Sequence, residues 1–160
     1  RGLVNNRNVR AMFAVIRRGE GTGGPNGYRT LYGGGLFDSF ADHPNIAVTK
    51  WGRTSTAAGA YQILSRSPDV WTETKNAMGL KDFSPASQDL AALGRIAMRG
   101  VLADVLAGRL EKAIQGNGSR GHGLRWEWAS LPGSPYGQGT ISMETARSVF
   151  AAAGGSPVYA

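Results

Sequence analysis

Glu20 is the residue of this chain best placed for acid chemistry. It lies four residues after Ile16 and seven after Phe13, so a first helix that persists one more turn carries its side chain on the apolar, inward face. Desolvation there disfavours the carboxylate, and the negative end of the helix macrodipole repels it. A rise from an ordinary value of about 4.3 to roughly 6 leaves such a group substantially protonated near neutral pH, the state a general acid needs to cleave a glycosidic bond. The same spacing also fits a solvent-facing helix-end glutamate loosely paired with Arg17 or Arg18.

Two further stretches suit a carbohydrate ligand. In Ser55-Thr56-Ala57-Ala58-Gly59-Ala60-Tyr61-Gln62, small residues let the backbone approach a ligand closely, and Gln62 offers both a donor and an acceptor. The alternative is a tight loop entering a helix. Trp126-Glu127-Trp128-Ala129-Ser130-Leu131-Pro132-Gly133, followed by Tyr136-Gly137-Gln138, combines aromatic faces with an amide, and pyranose rings stack on such walls. At least one of Trp126 and Trp128 also fits a plain core role. Asp38 and Asp42 are the candidates for a second acid, although loop aspartates are commonly solvated turn formers. His43 and His122 read as loop residues, not catalytic bases.

These side chains need elements to hold them. Val9, Met12, Phe13 and Ile16 mark an amphipathic helix that ends near Gly19 to Gly21, after a polar lead-in over 1–8. A long irregular stretch to about Gly59 follows, with extended pieces at Tyr28–Tyr32 and Ile46–Thr49; ordered loops of that length usually carry function. From Ala60 onward helical signals dominate. Ser67-Pro68 reads as a cap and first-turn proline for a helix bearing Trp71, Thr74 and Met78 and stopping at Gly79. Ser84-Pro85 repeats the device for a helix closing at Gly100, and two shorter helices follow at Val101–Leu106 and Leu110–Gln115. The glycine-rich tract 116–123 is expected to be a mobile surface loop, and a last helix should bury Met143, Ala146, Phe150 and Ala153 before Gly154-Gly155. The architecture expected is α+β and mostly α-helical, with a small irregular β-containing lobe after the first helix.

Composition narrows the rest. With 160 residues and 41% hydrophobic content, one domain spanning 1–160 can bury its own core. There is no cysteine and there are only two histidines, so no metal site, disulfide or cofactor is expected. No apolar run approaches the roughly 20 residues that span a bilayer, so membrane insertion is not expected. The first residues lack a signal-peptide pattern, and Arg1 in place of Met fits a processed protein or a piece of a larger one. A net charge of +7 and a pI of about 10.2 predict attraction to polyanions, either nucleic acid or the bacterial envelope. The basic residues come in ones and twos and no nucleic-acid-reading signature is present, which argues against a nucleic-acid partner.

Taken in order along nearly the whole chain, the motifs resemble those of the lambda-type phage endolysins. They are Arg18-Gly19-Glu20-Gly21-Thr22, Gly27-Tyr28, Gly33 to Phe37, Asp42-His43-Pro44, Ser55 to Gln62, Gly79 to Pro85 with Ser87-Gln88-Asp89, and Trp128 to Gly133 with Tyr136-Gly137-Gln138. The resemblance implies a lysozyme-like fold with a cleft between a helical and a small lobe, and a peptidoglycan lytic transglycosylase. Glu20 would be the catalytic acid. Thr56, Tyr61, Gln62, Tyr136 and Gln138 would line the sugar site with Trp128 near it, and peptidoglycan glycan strands would be the partner of a monomer. It further implies a phage-encoded protein acting on the wall from the periplasm, released from the host cytoplasm or carried in the virion. The loop after Thr22 is shorter than in the family's namesake, Gly35 replaces a glutamate there, and the glycine-rich tract before Trp126 is expanded, which touches subsite shape. Two rival readings remain: a muramidase using a second carboxylate, and a non-catalytic basic module that binds wall or nucleic acid.

Overall fold

The computed structural model describes residues 2–157, which divide into two compact units. One comprises the described parts of Arg1–Gly19 and Arg95–Ala160, the other Glu20–Gly94.

The first unit is helical. Helix α1 (Arg7–Glu20) starts where the Asn6 side chain accepts from the backbone N–H groups of Asn8 (2.8 Å) and Val9 (3.2 Å), an N-cap the polar lead-in concealed. The predicted stripe is buried: Val9, Met12 and Ile16 at 0% exposure and Phe13 at 3%. Arg17 and Arg18 complement the negative end of the helix dipole. Buried Asn8 donates to the Leu106 carbonyl (2.9 Å) and accepts from Ser156 N–H (2.8 Å), tying the start of α1 to the end of α4 (Leu102–Leu106) and to the C-terminal segment.

Helices α5 (Leu110–Gln115) and α6 (Met143–Ala152) complete this unit. Ser142 caps α6 by accepting from Thr145 N–H at 3.0 Å. Ala146 and Phe150 are buried as expected, whereas Ala153 lies past the helix and is exposed. Glu127 accepts from Arg95 (2.9 Å) and Arg99 (2.8 Å), so a buried acid is paired by two guanidinium groups. The tract 116–123 is pinned: His122 accepts from Asn117 N–H at 3.0 Å, its ring packs on Gly100, and Gly123 N–H donates to the Arg99 carbonyl at 3.0 Å.

The second unit carries the small sheet, an antiparallel hairpin of β1 (Val48–Lys50) and β2 (Arg53–Ser55) with Lys50 opposite Arg53. Its two-residue turn is Trp51-Gly52, both left-handed at φ 54° and 75°, which is how a tight hairpin matches strand twist. Tyr28–Tyr32 is not a strand: Gly27–Arg29 form a 3-10 turn, and Thr30 and Leu31 make only single bridges, to Leu36 and Ala58. Residues 60–69 are irregular because Gln62 and Ser67 are left-handed (φ 48° and 47°). Helix α2 (Val70–Met78) is therefore capped by Asp69, which accepts from Thr72 N–H at 3.0 Å, and it stops at left-handed Gly79. Helix α3 (Pro85–Met98) is capped by Ser84, whose Oγ accepts from Ser87 N–H at 3.2 Å. Phe37, His43, Trp71 and Phe83 form the aromatic core, with His43 and Trp71 each 4.9 Å from the Phe83 ring.

Candidate active site

Glu20 is the last residue of α1 and is half-buried. The chain turns away at once, with Gly21 left-handed at φ 73° and Thr22 1% exposed. Thr22 Oγ1 donates a short hydrogen bond to the Ala60 carbonyl, which fastens the segment after Glu20 to the small-residue stretch 57–62. Sequence reasoning gave Thr22 no role of its own, although it stands in the quoted motif.

The stretch 57–62 is itself held from two sides. Tyr32 N–H donates to the Ala57 carbonyl (2.9 Å) and Gly59 N–H to the Thr30 carbonyl (2.8 Å). From α3, fully buried Gln88 accepts from Ala60 N–H (2.9 Å) and donates to the carbonyls of Tyr28 (3.0 Å) and Phe83 (2.9 Å). Gln88 is thus a strut joining three segments. Gly59 is left-handed at φ 82°, and a Cβ there would fall 2.3 Å from the Gln88 side-chain oxygen.

The structure distributes the expected sugar contacts unevenly. Thr56 is buried and its Oγ1 accepts from Ser65 N–H at 3.0 Å. Tyr61 is enclosed at 1% exposure and donates to the Asp89 carboxylate at 2.6 Å, beside Tyr28, which donates to the same oxygen at 2.8 Å. Burial, reinforced by the negative charge of Asp89, pushes the Tyr61 phenol well above its usual range. Gln62 is half-buried, and its Nε2 donates to the carbonyls of Thr30 (3.0 Å) and Gly59 (2.9 Å), which leaves its oxygen as the remaining acceptor.

Trp128, Tyr136 and Gln138 belong to the other unit. Trp128 is 3% exposed, so of the two tryptophans weighed it is the core residue, while Trp126 is half-buried with the Arg125 guanidinium 4.9 Å from its ring. Tyr136 is 49% exposed and its hydroxyl donates to the Trp126 carbonyl at 2.6 Å; Gln138 is exposed.

The second-acid candidates differ in kind. Burial alone would raise the Asp42 carboxyl, but hydrogen bonds from Trp71 Nε1 (2.8 Å) and His43 N–H (2.9 Å), with the Lys75 ammonium at 3.4 Å, outweigh it and hold the group below its usual value. Asp38 is exposed, and its carbonyl accepts from Arg29 at 2.5 Å. His43 donates through Nε2 to the Ile63 carbonyl (2.7 Å) while Nδ1 accepts from Asn45 N–H (2.9 Å), so burial favours the neutral ring and lowers its pKa. Among the described residues, no three His, Asp or Glu side chains gather closely enough to hold a metal ion.

Comparison with known proteins bears on the family and the fold. A family model described as Endolysin matches residues 10–157. The endolysin of Escherichia phage lambda is 38% identical over 96% of this chain and 94% of its own, and that of Escherichia phage P2 is 35% identical over 97% and 98%. Two solved structures superpose closely: bacteriophage lambda lysozyme complexed with a chitohexasaccharide (TM-score 0.84) and lysozyme from bacteriophage lambda (TM-score 0.77). Each is 36% identical and spans 96% of this chain and 97% of its own. Ordered motifs, a mostly helical lysozyme-like α+β fold with a small hairpin, and matches over nearly its full length place this chain in the endolysin family, the phage enzymes that lyse bacterial cell walls.

Proposed function

We propose that the protein is a peptidoglycan lytic transglycosylase working through one carboxyl group, that of Glu20. The acid protonates the N-acetylglucosamine oxygen as it leaves C1 of N-acetylmuramic acid, and charge builds on the muramic ring in an oxocarbenium-like transition state. The Glu20 carboxylate so formed takes the proton from that sugar's own C6 hydroxyl. Oxygen O6 then bonds to C1 and closes a 1,6-anhydro ring, no water is consumed, and Glu20 is again protonated. Because the nucleophile is tethered to the reacting sugar, its effective concentration is high and a second carboxylate is unnecessary.

The observation that carries this reading is the engagement of Asp42 by Trp71, His43 and Lys75, which commits the better-held of the two loop acids to the fold. Glu20, in contrast, ends a rigid helix beside a backbone turn fixed by Thr22 and Ala60. Gln62, Tyr136 and Gln138 are assigned the direct sugar contacts. Thr56, Tyr61 and Trp128 are assigned supporting roles, since burial leaves them little surface.

Glycan strands as the partner are supported by the chitohexasaccharide bound to the similar lambda lysozyme. The chain is read as a single muralytic domain and a monomer, acting on the wall from the periplasm after release from the host cytoplasm or delivery by a virion. Among the described residues no helix is long and apolar enough to cross a membrane. Mass spectrometry of digested peptidoglycan tests the reaction: the expected muropeptides carry 1,6-anhydro ends and weigh one water less than hydrolysis products. A digest containing only the heavier, reducing-end set would make the enzyme a muramidase.

A further inference from the structure

The first unit holds two cations that its own acids do not neutralise. Arg120 and Arg125 both lie over the ring of Trp126, their guanidinium carbons 5.5 and 4.9 Å from its centre. Such contacts orient a cation without cancelling its charge. Arg125 is anchored through Nε to the Gln115 carbonyl (3.2 Å) and through Nη1 to the Gly133 carbonyl (3.1 Å), which leaves Nη2 for an outside acceptor. Arg120 is exposed, and among the described residues its guanidinium enters neither a hydrogen bond nor an ion pair.

The acids of this unit are engaged elsewhere. Asp104 accepts from Arg109 (2.9 Å), Glu111 from Arg147 (2.7 Å), and Glu127 from Arg95 and Arg99. Glu144 stands in the first turn of α6, in ion-pair contact with neither arginine. The backbone that carries the two cations is nevertheless built firmly. Arg99 donates through Nη1 to the Gly121 carbonyl (3.2 Å) and through Nη2 to the Trp126 carbonyl (3.1 Å). That same Trp126 carbonyl accepts from the hydroxyl of Tyr136 at 2.6 Å, so the ring under the guanidinium groups is tied to a residue assigned to the sugar. With guanidinium groups over it, Trp126 presents positive charge outward instead of an open face for a pyranose.

We propose that Arg120 and Arg125 form a binding site for the carboxylates of peptidoglycan stem peptides, beside the glycan contact of Tyr136. The site rests on the glycan reading of Tyr136 given above. A stem peptide hangs from the lactyl group of muramic acid and carries free carboxylates, so a strand lying along Tyr136 brings acids to this face. The planar guanidinium fork matches a carboxylate in shape as well as in charge. Arg120 belongs to the glycine-rich tract that is expanded relative to the family's namesake, which makes the site a feature of this chain.

The test is steady-state cleavage by the full chain of glycan strands bearing stem peptides, and of the same strands after an amidase has removed the peptides. The wild type should show a KM about ten-fold lower for the peptide-bearing strands. Arg120→Gln should reduce that preference about three-fold and Arg120→Glu should abolish it, both with the wild-type melting temperature. Equal KM values for the two substrates in the wild type, or a preference untouched by Arg120→Glu, would overturn the site. A KM raised by the same factor on both substrates would overturn it too, as general charge attraction. Failure of the wild type to cleave either strand would overturn the glycan reading itself, and the site with it.

Discussion

Tyr61 and Gln62 are chain neighbours with different duties. The Tyr61 phenol is consumed by buried Asp89, whereas Gln62 keeps an acceptor for an external donor. Tyr61→Phe should therefore cost about 1–3 kcal/mol of folding stability in urea unfolding, by leaving Asp89 with one phenol fewer. The KM for glycan should be unchanged, and a raised KM at unchanged stability would return Tyr61 to the sugar surface. That division could not be read from the sequence. The carboxylate that claims Tyr61 lies 28 residues away on another element, and nothing local marks the pairing. The burial of Thr56 and Trp128 was illegible for the same reason: burial is a property of what the rest of the chain brings to them.

At the scale of elements, the joint between α3 and the stretch 57–62 governs the geometry beside Glu20. Gly59→Ala would place a methyl group against the Gln88 oxygen at a left-handed position, and should destabilise the protein by roughly 2 kcal/mol or more, measured as a shift in the unfolding midpoint. The helices were largely legible. The three- and four-residue spacing of Val9, Met12, Phe13 and Ile16 marks α1, and Ser84-Pro85 marks the start of α3. Strand β2 was not legible, because its turn is Trp51-Gly52 and lacks the usual Asn or Asp before glycine. The start of α2 was displaced from Ser67 to Asp69 because Ser67 is left-handed and the Asp69 side chain supplies the cap. Gln88 belonged to a recognised motif, yet its role as a strut depends on three carbonyl and amide partners that only folding assembles.

For the whole molecule, the net charge of +7 sets how the protein meets a polyanionic wall. Its pelleting on peptidoglycan should weaken as salt rises, and binding indifferent to salt would remove electrostatic attraction from the account. Stability should carry a separate pH signature from His43. Its ring is held neutral by burial below the ordinary value of 6.5, so the unfolded chain binds a proton that the folded one refuses. Stability is then complete above 6.5 and falls as pH drops below it, by up to about 1.4 kcal/mol per pH unit until the folded ring also titrates. Urea unfolding from neutral to mildly acidic pH checks this, with His43→Gln expected to flatten the slope. Asp69 and Asp82, held low chiefly by hydrogen bonds from Thr72 and from Ser87 and Ser84, add losses only below 3.8, so the two windows are separable.

The central claim is that one carboxyl group, at position 20, both gives and recovers the proton of bond cleavage. Glu20→Gln tests it most directly, because the amide keeps the size of the side chain and cannot exchange that proton. Turnover of purified peptidoglycan should fall by at least about a hundred-fold while the melting temperature and glycan binding persist. Lysis at the wild-type rate by a folded Glu20→Gln protein would contradict the account.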